Sequence, residues 1–146
     1  MTTAVEWERE NAADLKAMAE ALAENDRYLA EEILNKIAPY PEGENVQTSK
    51  PTNDAYFHRL AKFIDPETGR VDNPNGPAIV EGDGTRKWYR ADMLHNSHGP
   101  AKIKPNGKLS YYYMGKRCKS AEDLDEVVAI AKRHNEKSKH VRNPKA

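Results

Sequence analysis

Residues 76–89 (GPAIVEGDGTRKWY) recur as residues 99–112 (GPAKIKPNGKLSYY), at an offset of 23 and without insertion or deletion. A unit this short cannot close a core of its own, so successive copies must bury a face against one another. The repeated unit reads as a β-hairpin. Short β-prone runs flank Asp83-Gly84 and Asn106-Gly107, dipeptides that tolerate the positive φ angles of tight hairpin turns. Gly115 supplies another reversal, and residues 65–69 (DPETG) read as an earlier loop. Arg70 to Asn75 stands 23 residues before Met93 to His98, which predicts the end of a degenerate third copy. The whole is an antiparallel meander of five or six strands.

Comparing the copies assigns the faces. Ala78 and Val80 match Ala101 and Ile103, and Trp88 matches Tyr111, whereas Ile79 is replaced by Lys102. Positions two apart on a strand share a face, so Ala78, Val80, Trp88, Ala101, Ile103 and Tyr111 form the covered side.

Each unit contains Gly-Pro-Ala (Gly76 to Ala78, Gly99 to Ala101) and then Asp83-Gly84 or Asn106-Gly107. An aromatic pair follows (Trp88-Tyr89, Tyr111-Tyr112), and then Leu94-His95 or Met114-Gly115-Lys116. Over roughly residues 63–118 this resembles the MORN-like repeats of small bacterial and bacteriophage proteins. The resemblance implies stacked β-hairpins and a binding or scaffold role, with no reaction, in an accessory protein of a phage or mobile element. Ala91-Asp92 stands where that pattern has Asn-Gly, which implies a longer or bulged hairpin there.

The flanks are helical in pattern. Residues 5–22 carry Trp7, Leu15, Met18, Ala19 and Leu22 at helical spacing among charges. Asn25 or Asp26 can cap a second helix with Tyr28, Leu29, Ile33, Leu34 and Ile37 on its apolar face, stopped by Pro39 or Pro41. Residues 1–40 are thus expected to be a helical hairpin, with a surface that could make a homodimer. Residues 41–54 read as a loop, and Tyr56, Phe57, Leu60, Phe63 and Ile64 fit either a short helix or a strand. After the sheet, Ser120 and Asp123 resemble a capping box for a closing helix with Leu124, Val127, Val128 and Ala131 on its apolar stripe, ending near His134. Residues 136–146 are read as a disordered basic tail. The class is α+β, in one domain of 146 residues with residues 55–135 forming the meander and its closing helix.

Net charge is zero, but the charges are segregated. Residues 1–32 hold nine acids against three bases, and residues 86–117 hold eight bases against one acid, Asp92. Such asymmetry attracts partners of opposite sign or lets the two halves attract each other. The acidic segment nominates Glu6, Glu8, Glu10 and Asp14 as contacts to a basic host protein. Lysines and arginines interleaved with aromatics nominate Arg86, Lys87, Tyr89, Arg90, Lys102, Lys104, Lys108 and Tyr112 as an alternative nucleic-acid face.

Catalytic and metal chemistry find little footing. His95 and His98 lie in a Pro/Gly-flanked turn and align with Asp72 and Asn75, so turn capping explains them better than a metal. There is no phosphate loop, nucleophile elbow or cysteine-pair signature, and neither cofactor nor metal is expected. No apolar run reaches the roughly 20 residues of a membrane span. The single Cys118 and the polar N-terminus lead to the expectation of a cytoplasmic protein. The reading is a non-enzymatic protein-binding module that modulates a host enzyme or defence complex, with nucleic-acid binding as its alternative.

Overall fold

A computed structural model describes residues 2–39, 46–48 and 61–141, with side chains for residues 2–39 and 61–135. The fold is α+β. Helices α1 (Ala4–Glu10), α2 (Ala12–Ala23) and α3 (Arg27–Ile37) precede strands β1 (Val46–Thr48), β2 (Ala61–Phe63) and β3 (Ile79–Val80). There follow β4 (Arg86–Lys87), β5 (Tyr89–Arg90), β6 (Met93–Leu94), β7 (Lys102–Ile103), β8 (Leu109–Tyr113) and β9 (Lys116–Cys118), closed by α4 (Ala121–Val141). Seven strands form one antiparallel sheet in the order β1-β2-β3-β4-β7-β8-β9, and β5 pairs with β6.

The 23-residue offset reappears in the hydrogen bonds. Ile79 pairs with Lys87 and Val80 with Arg86, as Lys102 pairs with Ser110 and Ile103 with Leu109. In both loops the glycine N–H returns to the residue three back (Gly84 to Glu81, Gly107 to Lys104). Only the glycine of each dipeptide has positive φ. This is a three-residue hairpin loop, a type I turn closed by a left-handed glycine, in place of the expected tight pair of positive φ angles. Asp83 and Asn106 finish the loops by accepting from the N–H of Thr85 and Lys108.

That tight turn occurs elsewhere. Tyr89 pairs with Leu94 and Arg90 with Met93, leaving the two-residue loop Ala91-Asp92 with φ of 49° and 70°. Its counterpart, Met114-Gly115, has φ of 49° and 85° between Tyr113 and Lys116. The hairpin at Ala91-Asp92 is therefore neither longer nor bulged. Its strain is held by the preceding unit: Asp72 accepts from the Ala91 N–H at 3.2 Å, and the Asp92 N–H reaches the Val71 carbonyl. One unit on, His95 Nδ1 accepts from the Met114 N–H at 2.9 Å, and the Gly115 N–H reaches Leu94. The earlier loop at 65–70 is closed by an Ile64–Val71 bridge.

The assigned inner face is buried at Ala78, Val80, Ala101, Ile103 and Tyr111, while Trp88 is half-buried against the core. Leu15, Met18, Leu34 and Ala38 from α2, α3 and the end of α3 cover Ile103 and Trp88. Ala4, Ala121 and Leu124 from α1 and α4 cover Tyr111 and Cys118. Leu109 touches both clusters.

Several helical expectations shift. The N-terminal segment divides at Asn11, whose side chain donates to the Trp7 carbonyl at 2.8 Å while its backbone leaves helical geometry. This break turns α1 toward α4, where the Asp125 carboxylate accepts from the N–H groups of Ala4 and Val5. Asp26 caps α3, yet Tyr28 and Leu29 are exposed at 53% and 41%, because the buried stripe is Ala30 and Leu34. Residues 46–48 of the expected loop are β1, and the rest of that loop lies outside the described residues, as do Tyr56, Phe57 and Leu60. The closing helix runs through Val141, well past His134, so 136–141 are helical and only 142–146 of the expected tail fall outside the described residues. Ser120 caps it as anticipated, accepting from the Asp123 N–H.

The first hairpin is locked to the helices by Arg86, which is 0% exposed. It pairs across the sheet with Val80 and Ile103, on the inner face. Its guanidinium donates to the carbonyls of Ala38 (3.2 Å) and Gly84 (2.5 Å) and to Asn35 Oδ1 (2.5 Å), with Glu31 at 3.9 Å. Leu109 holds the equivalent place in the second copy, but Arg86→Leu should not be neutral. It removes donors from two carbonyls, an amide and a carboxylate at once, and we expect a loss of about 3 kcal/mol in urea unfolding. Adding Glu31→Leu should recover part of that loss.

The second hairpin turn is seated against α2. At Gly107, φ is +85° and a Cβ would come within 2.6 Å of the Leu15 carbonyl oxygen. Gly107→Ala should therefore lower stability by roughly 2 kcal/mol, from strain and displacement together, read as a fall in melting temperature.

Candidate interaction surfaces

The four acidic residues nominated on α1 and α2 are largely engaged within the molecule. Glu6 belongs to the capping box of α1, accepting from the Thr3 N–H and hydroxyl, and these bonds hold its carboxyl below the usual range. Glu8 accepts a hydrogen bond from the Tyr111 hydroxyl. Burial and then that bond raise the Tyr111 hydroxyl well above its ordinary value. Asp14 pairs with Lys36 at 3.5 Å, and Glu10 is exposed. The acidic set contains one intramolecular strut, one cap and one ion pair.

The eight residues nominated for nucleic acid separate into three places. Arg86 is in the core. Tyr89 and Arg90 lie on β5 and line a groove. Lys87, Lys102, Lys104, Lys108 and Tyr112 share the strand parity opposite to Val80, Arg86, Ile103 and Tyr111, which sets them on the outer face. Lys87 is tied to Glu81 at 2.9 Å.

The groove encloses about 740 Å³ and is made from matching positions of successive units. Asp72, Asn73, Pro74 and Asn75 from one unit and His95, Asn96, Ser97 and His98 from the next line it together with Phe63, Trp88 and Tyr89. The walls are rigid for a specific reason. Asn73 donates to the Pro77 carbonyl and accepts from the Asn75 N–H, and Asn96 does the same for Pro100 and His98. Each asparagine braces the turn before a Gly-Pro-Ala stretch. The turn reading of the two histidines holds for His98, which lies in a bend, but His95 follows β6 and its N–H bonds to the Trp88 carbonyl, extending the hairpin ladder; the groove itself is not legible in the sequence because it exists only once successive units stack.

His95 is the chemically distinctive residue. Its ring meets Tyr113 edge to face at 4.9 Å, and its Nδ1 must be unprotonated to accept from Met114. His98 Nδ1 lies 3.1 Å from the Thr2 carbonyl. Among the described residues, no group of three or more His, Cys, Asp or Glu could hold a metal ion, and no helix is long and apolar enough to cross a membrane. Comparison of the chain with family models, curated proteins and solved structures finds no match.

Burial first, then Arg90 and His98, hold the His95 imidazole below its ordinary value of 6.5, while Asp72 acts in the opposite direction. A histidine that resists protonation when folded loses stability as pH falls below the unfolded value, because the unfolded chain takes up the proton first. The decline ends once the folded ring is also protonated. His95→Asn keeps an acceptor for the Met114 N–H without titrating, so its urea midpoint should fall less than that of the parent chain between about pH 7 and pH 5.

Proposed function

We propose that the chain is a non-enzymatic protein-binding module that grips a host protein in the groove between its repeated units. The observation that carries this reading is the groove itself: an open cleft of about 740 Å³ with aromatic residues and two hydrogen-bonded walls. The groove sets Trp88 and Tyr89 among a mostly polar lining, and walls braced by their own hydrogen bonds reduce the entropy cost of binding. Trp, Tyr and Arg dominate the energetics of protein interfaces, and Trp88, Tyr89 and Arg90 are consecutive here. The internal engagements of Glu8 and Asp14 favour the groove over the acidic helices as the working surface. The wider setting, an accessory protein of a phage or mobile element that modulates a host enzyme or defence complex, rests on the resemblance to MORN-like repeats, and its place in the host cytoplasm on the single Cys118 and the polar N-terminus.

The test uses the full chain to capture partners from nuclease-treated host lysate. Tyr89→Ala with Arg90→Ala should reduce recovery of the protein partner at least about tenfold, equivalent to about 1.4 kcal/mol of binding, without changing the urea midpoint. Retention by this variant, together with release on charge reversal at Glu6 and Glu10, would place the interface on the acidic helices instead.

A further inference from the structure

The outer face of the sheet carries a second surface, distinct from the groove. Strand pairing aligns Lys62, Ile79, Lys87, Lys102 and Ser110 in one row across β2, β3, β4, β7 and β8. Val80, Arg86, Ile103 and Leu109, on the opposite face, meet the helices or the core, so this row faces away from them. Lys104 and Lys108 continue the same parity at the end of the β7–β8 hairpin, and Tyr112 continues it along β8. Five lysines thus share a face, with the Glu81 carboxylate bonded to one of them, Lys87.

The register makes this arrangement costly in isolation. Lys87 and Lys102 are directly opposite on neighbouring strands, about 5 Å apart at the backbone, and like charges so placed are destabilising. Alternation alone does not require lysine at either position, since the equivalent residues in the row are Ile79 and Ser110. Glu81 offsets the charge of Lys87, and an anionic ligand would neutralise the other four lysines of the face. Lysine is depleted at protein interfaces, which argues against an acidic protein, whereas a row of ammonium groups tracking a chain of phosphates is the usual electrostatic footprint of nucleic acid. Tyr112 is half-exposed at the edge of the lysines and offers a ring for one base.

We propose that this outer face binds single-stranded nucleic acid, with Lys62, Lys87, Lys102, Lys104 and Lys108 on the phosphates and Tyr112 stacking on a base. The surface is independent of the groove. Its test is fluorescence anisotropy of the full chain with a labelled oligothymidylate of about 16 nucleotides. Affinity should fall steeply between about 50 and 200 mM KCl. Lys102→Glu, Lys104→Glu and Lys108→Glu together should weaken binding more than tenfold and make the logarithmic salt slope shallower by about 2, at about 0.7 for each phosphate left without its ammonium group. The matching Lys→Arg triple variant should retain affinity, which separates charge from folding. Equal binding by the glutamate triple variant would overturn the proposal. So would displacement of the oligonucleotide by polyglutamate at equal charge concentration, or a preference for duplex over single strand.

Discussion

The buried guanidinium of Arg86 determines how the two halves of the molecule are joined. It reaches the carbonyl of Ala38, just past the end of α3, the side chains of Asn35 and Glu31, and the carbonyl of Gly84 within its own hairpin. A charge so deeply buried is tolerated only when its donors are satisfied, so helix end, turn and strand must keep their relative positions. Strand alternation carries the consequence outward. With Arg86 directed into the helices, Lys87 beside it must face the other way, and the pairing with β7 places Lys102 next to it. The core contact and the cationic surface are two results of one strand register.

Much of this architecture is legible in the sequence because it depends on local rules. Turn glycines, alternating burial and a constant offset locate the hairpins without knowledge of what they pack against. The same rules miss Arg86, since a basic residue amid basic and aromatic neighbours reads as surface until α3 is seen to end above it. They also miss the break at Asn11. Nothing in the spacing of Trp7 and Leu15 interrupts a helix; the interruption is made worthwhile by Asp125, more than a hundred residues away. Exposure of Tyr28 and Leu29 has a similar origin, because α3 buries the stripe of Ala30 and Leu34 instead.

The functional surfaces divide along the same line. A groove built from the loops of two units, and a cationic face whose lysines come from β2, β4, β7 and the β7–β8 hairpin, are both products of strand pairing and stacking. The 23-residue offset gathers the walls of the groove, whereas the lysines are brought together by strand register alone. Charge counting along the chain finds the lysines but cannot sort them from Arg86, Tyr89 and Arg90, which the sheet sends to the core and the groove.

The junction between units also gives the array a direction. At one position of each unit a side chain receives the backbone of the next: Asp72 receives Ala91, and His95 receives Met114. Twenty-three residues beyond His95 stands Cys118, buried against Tyr111, Ala121 and Leu124, where a thiol takes the place of a strong acceptor. The chain enters α4 immediately afterwards. At the docking position Cys118 therefore offers no strong acceptor to a further hairpin, and Ala121 and Leu124 of α4 pack against it instead.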